Sequence, residues 1–279
     1  MDKKQSTNLN FHASFCPDFE YIAKIIQIAD QYEGLTKEEI SEITGIPTGT
    51  SSGKVEPHIH YAKFMNVIDV EKESARYKIK STNLGRTILS EDPYFLEDIS
   101  KLICNYFLTS KSCGAIMWNK IIREIPERYG NEIKESLITK DLYEEFGIQI
   151  KLTAFRSCYN SEKSMATLKF ANIEEQQEDN IIKLNKNIYN DENIYVYAYT
   201  LISELEKLDN TRKEFTINEV LQDISWGKGF IWDEEVSILV LEKLNDLSII
   251  NLNRQLNPIT IIINKNSEDI IDSIYSLLI

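Results

Sequence analysis

The stretch that most constrains this chain is Leu35–Gly45, "LTKEEISEITG", because it carries both ends of a short helix in its own residues. Thr36 is an N-cap residue, and Glu39 three positions on completes a capping box. Gly45 and then Pro47 end the helix. On the N-terminal side, Phe15, Phe19, Ile22, Ile26 and Ala29 recur at three- and four-residue steps and predict an amphipathic helix over Phe15–Tyr32. On the C-terminal side, Val55, Ile59, Ala62 and Met65 share a face of a further helix. Its start is open between a first turn holding Pro57 and a cap at Ser51 or Ser52. Ile68, Val70, Tyr77 and Ile79 then alternate around a charged turn, as in a β-hairpin. The order helix, short helix, turn, helix, hairpin predicts a winged helix-turn-helix over residues 1–91.

The same idea recurs further on. Residues 92–171 read as a central helical region, with "LITKDLYEEFG" followed by another helical pattern as a second helix-turn-helix. Residues 172–193 are polar and Asn-rich and read as a connector or an extended hairpin. Residues 194–279 resume as helices followed by two strands, again the winged order. The expected fold class is mainly α with small β-hairpins (α+β), built as two or three winged helix-turn-helix-like modules. No repeat of fixed period is present, which sets the solenoid architectures aside.

Charge limits what such modules can touch. The 279 residues carry 31 Lys and Arg against 44 Asp and Glu, a net −13. A field of that sign weakens non-specific attraction to polyanions, so DNA contact requires a local patch. Ile46–Ser90 supplies one: seven basic residues (Lys54, Lys63, Lys72, Arg76, Lys78, Lys80, Arg86) face four acidic ones (Glu56, Asp69, Glu71, Glu73). Within it, "TGTSSGKV" superficially resembles a phosphate loop. That loop needs glycine where Thr48 stands, a hydroxyl where Val55 stands, and a strand in front of it. Duplex DNA uses the same residues better. Thr48, Thr50, Ser51, Ser52 and Lys54 offer hydroxyls, backbone N–H groups and a cation at a helix start, with His58, His60 and Lys63 along the helix. Arg76, Lys78 and Lys80 on the hairpin suit flanking phosphates. The bland alternative is a solvated winged helix used for protein contacts.

Other chemistry is thin. The four cysteines (Cys16, Cys104, Cys113, Cys158) form no CxxC pair, and His12, His58 and His60 have no ligand cluster beside them. No catalytic group, metal site or cofactor site is therefore expected. Tyr195, Tyr197 and Tyr199 alternate as on one strand face, with packing as their expected role. In "SWGKGFIWDEEV", Asp233 is a plausible helix cap. No apolar run has membrane-spanning length, and "MDKKQSTNLNFHASF" lacks the apolar core of a secretory signal, so the expected compartment is the cytoplasm.

Several motifs together carry a resemblance. "FHASF" is similar to a Phe…His-Glu-Thr-Phe signature, with His12 and Phe15 matching and Ala13 in the acidic place. "SSGKVEPHIHYAKFMNVI" looks like a glycine- and lysine-bearing segment before a helix. "KSTNLGRTILSEDPYFLED" is similar to an "LTPLG…DPYLED" element through Leu84, Gly85, Asp92, Pro93, Glu97 and Asp98, and "GKGFIWDEE" looks like a late element. The chain thus resembles the bacterial family named domain of unknown function 4007, often found beside DNA phosphorothioation and phage-defence genes. The resemblance implies a setting and no catalytic residues. The resulting expectation is a non-catalytic DNA-binding or DNA-docking component of a modification or defence system, with duplex DNA and other subunits as partners. An adaptor that uses its winged helices on proteins is the alternative, and a nuclease or nucleotidase comes third.

Overall fold

The computed structural model describes residues 8–49 and 53–278, and the chain divides into two compact units. The first is Met1–Thr109 with Cys113–Asn185, and the second is Ser110–Ser112 with Lys186–Ile279. The boundaries expected at residues 91 and 171 fall inside the first unit. Helices dominate, and the strands form small antiparallel sheets, which makes the class α+β.

The first unit starts with helix α1 (Phe19–Ile28), capped by Asp18, whose carboxylate accepts the Glu20 N–H. Phe19, Ile22, Ile25 and Ile26 give it the buried face that their spacing demands. Strand β1 (Leu35–Thr36) leads directly into α2 (Lys37–Thr44), where Thr36 and Glu39 form both halves of the capping box. Gly45 ends α2 at φ 72°, a left-handed conformation that costs a glycine little. Helix α3 (Val55–Phe64) follows, with Lys54 at its N-cap position and Pro57 in its first turn. Strands β2 (Ile68–Glu73) and β3 (Arg76–Ser81) pair with Val70 opposite Ile79, and β1 joins the free edge of β3. The sheet order is therefore β1-β3-β2. Helix α4 (Asn83–Glu91) packs so close to the end of α3 that a Cβ on Gly85 would lie 1.9 Å from the Val67 carbonyl oxygen.

Helix α5 (Asp98–Leu108) is buried along nearly its whole length, including Asn105, which accepts the Tyr159 hydroxyl at 2.7 Å. Helix α6 (Ile116–Asn119) continues through a π-helical turn, Lys120–Glu124, into α7 (Pro126–Tyr129). Trp118 on α6 is fully buried, with its ring against Phe11, Tyr61 and Phe155. Strand β4 (Glu132–Lys134), α8 (Glu135–Phe146) and α9 (Thr153–Asn160) come next. The polar stretch read as connector or hairpin takes the hairpin form: β5 (Ala171–Glu174) and β6 (Ile181–Leu184) close a second sheet in the order β4-β6-β5.

The second unit opens with α10 (Ile194–Leu208). Tyr195, Tyr197 and Tyr199 lie on this helix and not on a strand. Tyr197 and Tyr199 are buried, Tyr197 against Phe230 and Trp232. Apolar neighbours on every side of α10 explain why the alternation misleads: a helix buried all round shows no polar face. Strand β7 (Glu214–Thr216) precedes a π-helical turn, Glu219–Asp223. Helix α11 (Glu234–Asp246) begins at Asp233, whose carboxylate accepts the Val236 N–H. Strands β8 (Ile250–Asn253) and β9 (Thr260–Ile263) then pair in the order β7-β9-β8, and α12 (Ser267–Ile271) packs on α10.

Two glycines test the packing in different ways. Gly85→Ala drives a methyl group into a backbone carbonyl and is expected to cost on the order of 3 kcal/mol. Gly45→Ala meets open space and is expected to cost only about 1 kcal/mol of left-handed strain. Urea unfolding of both variants checks this. Equal midpoints would show that the close approach at Gly85 is not rigid.

Candidate nucleic-acid interface

The net-basic segment folds into α3 and the β2–β3 hairpin, and the structure separates its cations into two kinds. Lys54 and Lys63 lie on α3. Lys54 is half-buried at the helix start, where its N–H donates to the Pro47 carbonyl at 2.8 Å. Its ammonium sits 5.5 Å from the centres of both the Phe15 and Tyr21 rings, a cation–π position that fixes it without neutralising it. Lys63 is exposed in the last turn, and Thr48 is half-buried on the loop before the helix. Among the described residues neither lysine has an acidic partner. Thr50, Ser51 and Ser52 lie outside the described residues.

The hairpin cations are held by acids. Arg76 donates to both Glu39 carboxylate oxygens, at 3.2 and 3.3 Å, and to the Gly34 carbonyl at 2.6 Å. Lys78 pairs with Glu33 at 2.8 Å. Lys72 pairs with Glu56 at 2.7 Å and lies over the Tyr77 ring, while the Tyr77 hydroxyl donates to the same carboxylate. Burial and that bond push the Tyr77 phenol up to about 12. Lys80 is exposed, with Asp69 directly across the ladder. A cleft of roughly 580 Å³ between the hairpin and the loop after α1 is lined by Glu33, Glu71, Glu73, Arg76 and Lys78, with Gly34 and Ser74. Once the sheet brings in its neighbours, Glu33–Ser90 holds eight basic and eight acidic residues. The excess counted along the sequence is cancelled by Glu33, Glu38, Glu39 and Glu42, which the capping box and the β1–β3 register place beside it.

Two histidines expected along the exposed side of α3 sit elsewhere. His58 is 1% exposed. Its Nε2 accepts the Asp18 N–H at 3.0 Å, so Nδ1 carries the proton and donates to the Lys54 carbonyl at 2.7 Å. Burial pushes its pKa down to about 4, against the opposing pull of the Lys54 carbonyl. It is a structural bridge and does not face a groove. His60 is half-buried, stacked on Phe64 and edge-on to Phe11, and burial lowers its pKa too. The helix is wrapped on most sides, which spacing alone does not reveal.

The residues that set this surface and were missed in the sequence are the pairing acids Glu33 and Glu39 and the rings Phe15 and Tyr21. Glu39 carried a signal as the capping-box acid, but its pairing with Arg76 depends on strand register. Elsewhere, His12 is buried against Phe11 and Trp118, and burial lowers its pKa to about 4. Cys16 and Cys113 are half-buried, Cys104 and Cys158 are buried, and all four are free thiols. Among the described residues no group of three or more His, Cys, Asp or Glu side chains could hold a metal ion, and no helix is long and apolar enough to cross a membrane.

The histidines make stability pH-dependent. A buried histidine with a depressed folded pKa stabilises the fold fully above its unfolded value near 6.5, and this is lost as pH falls towards about 4. Each of His12 and His58 can account for on the order of 3 kcal/mol over the whole window. Urea midpoints are therefore expected to fall between pH 6.5 and 5, above the range where carboxylates titrate. His58→Gln should lower the midpoint at pH 7 and flatten the slope. An unchanged slope would show that His58 is not held neutral.

No family model matches the chain, and no curated protein matches it. Two solved structures share its fold. A magnesium ion-bound SspB superimposes with a TM-score of 0.73 at 13% identity, over 97% of this chain and 86% of that one. A second SspB structure gives 0.72 at 12% identity over the same shares. At this identity the likeness concerns the fold.

Proposed function

We propose that residues 35–81 act as a winged helix-turn-helix that docks duplex DNA, and that the protein is a non-catalytic component of a bacterial DNA modification or phage-defence assembly. The supporting observation is the start of α3. Lys54 stands there as N-cap residue with no side-chain cap, its charge positioned by two aromatic rings and in no ion pair among the described residues, with Thr48 before it and Lys63 on the same helix. Backbone N–H groups at a helix start together with a fixed cation suit a phosphate. The strand–helix–helix–hairpin order and the first-third-second strand arrangement recur in all three sheets and fit winged modules. The resemblance to domain of unknown function 4007 supplies the setting.

Lys54 and Lys63 carry the contact in this scheme, and Lys80 is exposed on β3 across the ladder from Asp69. Arg76 and Lys78 join only by exchanging Glu39 and Glu33 for phosphate. One of the SspB structures is described as magnesium-bound. Among the described residues no three or more His, Cys, Asp or Glu side chains gather as a cage for such an ion. A second reading, a protein adaptor, is favoured by one observation: the hairpin cations are already paired with acids, as on a surface meant for mixed-charge protein contacts.

Fluorescence anisotropy with a duplex oligonucleotide across 50–300 mM salt tests the proposal. Each phosphate contact contributes about 0.9 to the slope of log K against log salt. Lys54→Ala and Lys63→Ala should each lower that slope by about one, and Glu33→Gln, which frees Lys78, should tighten binding about two- to threefold. A flat salt response, or affinity unchanged in the double lysine variant, overturns docking through this helix and leaves the adaptor.

A further inference from the structure

Residues 92–98, "DPYFLED", form the loop between α4 and α5, and its construction differs from that of an ordinary surface loop. Tyr94 and Leu96 leave 70% and 75% of their surface in solvent, whereas Phe95 between them is 3% exposed. Phe95 turns inward at φ 53° and stacks on Phe19 with ring centres 4.8 Å apart. A bulky residue adopts that φ only where its surroundings hold it there. Those surroundings are visible. The buried Asp92 carboxylate accepts the Leu96 N–H at 2.8 Å, the Glu97 N–H at 3.1 Å and the Ser100 hydroxyl at 2.6 Å, and its carbonyl accepts the Phe95 N–H.

The loop is thus locked at both its backbone and its anchor, and the lock turns two large apolar side chains outward on either side of Phe95. Folding gains nothing from exposing them. Preorganised apolar side chains on a rigid support are what an interface anchor requires, since little conformational freedom is left to lose on binding. The surrounding charge narrows the partner. Between Arg86 and Lys101 the sequence has four acidic residues and no basic one. Asp92 is spent on the loop, and Asp98 is engaged by Lys101 and Thr167. Glu91 and Glu97 are exposed and join no ion pair among the described residues. An apolar tip between unpaired carboxylates repels nucleic acid and complements cations.

We propose that Tyr94 and Leu96 form a docking knuckle that seats in an apolar pocket rimmed by lysine or arginine side chains on a partner protein. The knuckle belongs to the α4–α5 loop and not to α3, and its charge suits a different partner from that of α3.

The test uses the full chain with p-benzoylphenylalanine in place of Tyr94, irradiated in the native host, with the crosslinked residue located by mass spectrometry. The expected result is one protein, joined within an apolar pocket that has at least two Lys or Arg at its rim. With that protein purified, Leu96→Asp should weaken binding at least tenfold. Raising NaCl from 0.1 to 0.5 M should weaken the unsubstituted complex severalfold. The duplex affinity of Leu96→Asp should match the parent, which separates failure here from failure of the α3 proposal. Tyr94→Ser serves as the second variant if Leu96→Asp shows an altered urea midpoint. Crosslinks to nucleic acid, to a second copy of this chain, to many proteins without a common pocket, or to nothing would each overturn the proposal. An identified partner indifferent to both substitutions would do the same.

Discussion

The first unit depends on the neutrality of one imidazole. His58 joins the starts of two helices: it accepts the N–H of Asp18, the cap of α1, and donates to the carbonyl of Lys54, the cap of α3. A neutral ring can do both because one nitrogen accepts while the other donates. A protonated ring has no acceptor and would set an N–H against the Asp18 N–H in a buried site. This joint sets the start of α3 beside the start of α1. The Lys54 ammonium sits over Phe15 and Tyr21 because the two helix starts are held together. Tyr61, one turn further along α3, reaches the Phe15 carbonyl at 2.8 Å and closes the same seam.

The three sheets share a strand order, and two share the device that starts the following helix. Thr36 and Glu39 form a capping box whose acid is gripped by Arg76, and Thr216 and Glu219 form the same arrangement gripped by Arg212. The device satisfies helix N–H groups and ties the helix to the sheet in one step. The charge laid over this scaffold is not shared. Residues 186–279 hold eight basic against sixteen acidic side chains. Helix α11 occupies the place after the π-turn that α3 occupies after α2, and it exposes Glu234, Glu235, Leu239 and Asp246 where α3 carries Lys54 and Lys63. A polyanion has no reason to approach such a face, so a common architecture does not imply a common ligand.

What was legible in the sequence was local. The capping box at Thr36, the glycine stop at Gly45, and the alternation of Ile68, Val70, Tyr77 and Ile79 each report on residues that are neighbours in the chain. The rest was set by contacts far apart in it. The β5–β6 hairpin shows Ala171, Ile173, Ile181, Ile182 and Leu184 as its apolar residues, and it becomes a sheet when β6 pairs with β4 about fifty residues earlier. His58 and His60 looked alike in spacing, yet one is a buried bridge and the other lies between Phe11 and Phe64, because α3 is enclosed by α1, α5 and the hairpin. The acids that cancel the basic segment entered through the β1–β3 register, which no count along the chain contains.

That cancellation decides how a polyanion would be met. An exposed ion pair contributes only about 0–1 kcal/mol, so a hairpin cation loses little by exchanging a glutamate for a phosphate. The displaced glutamate does not leave, however. Glu33 and Glu39 are tethered by their own helices and loops within a few ångströms, and each opposes the phosphate that its former partner attracts. The net contribution of Arg76 and Lys78 is therefore much smaller than their charge suggests, while Lys54 and Lys63 join no ion pair among the described residues. Binding energy would collect at the start of α3 and not along the hairpin. For a chain of net −13, a contact so small would give position more readily than tight binding, and further affinity would have to come from contacts elsewhere, as in the proposed assembly.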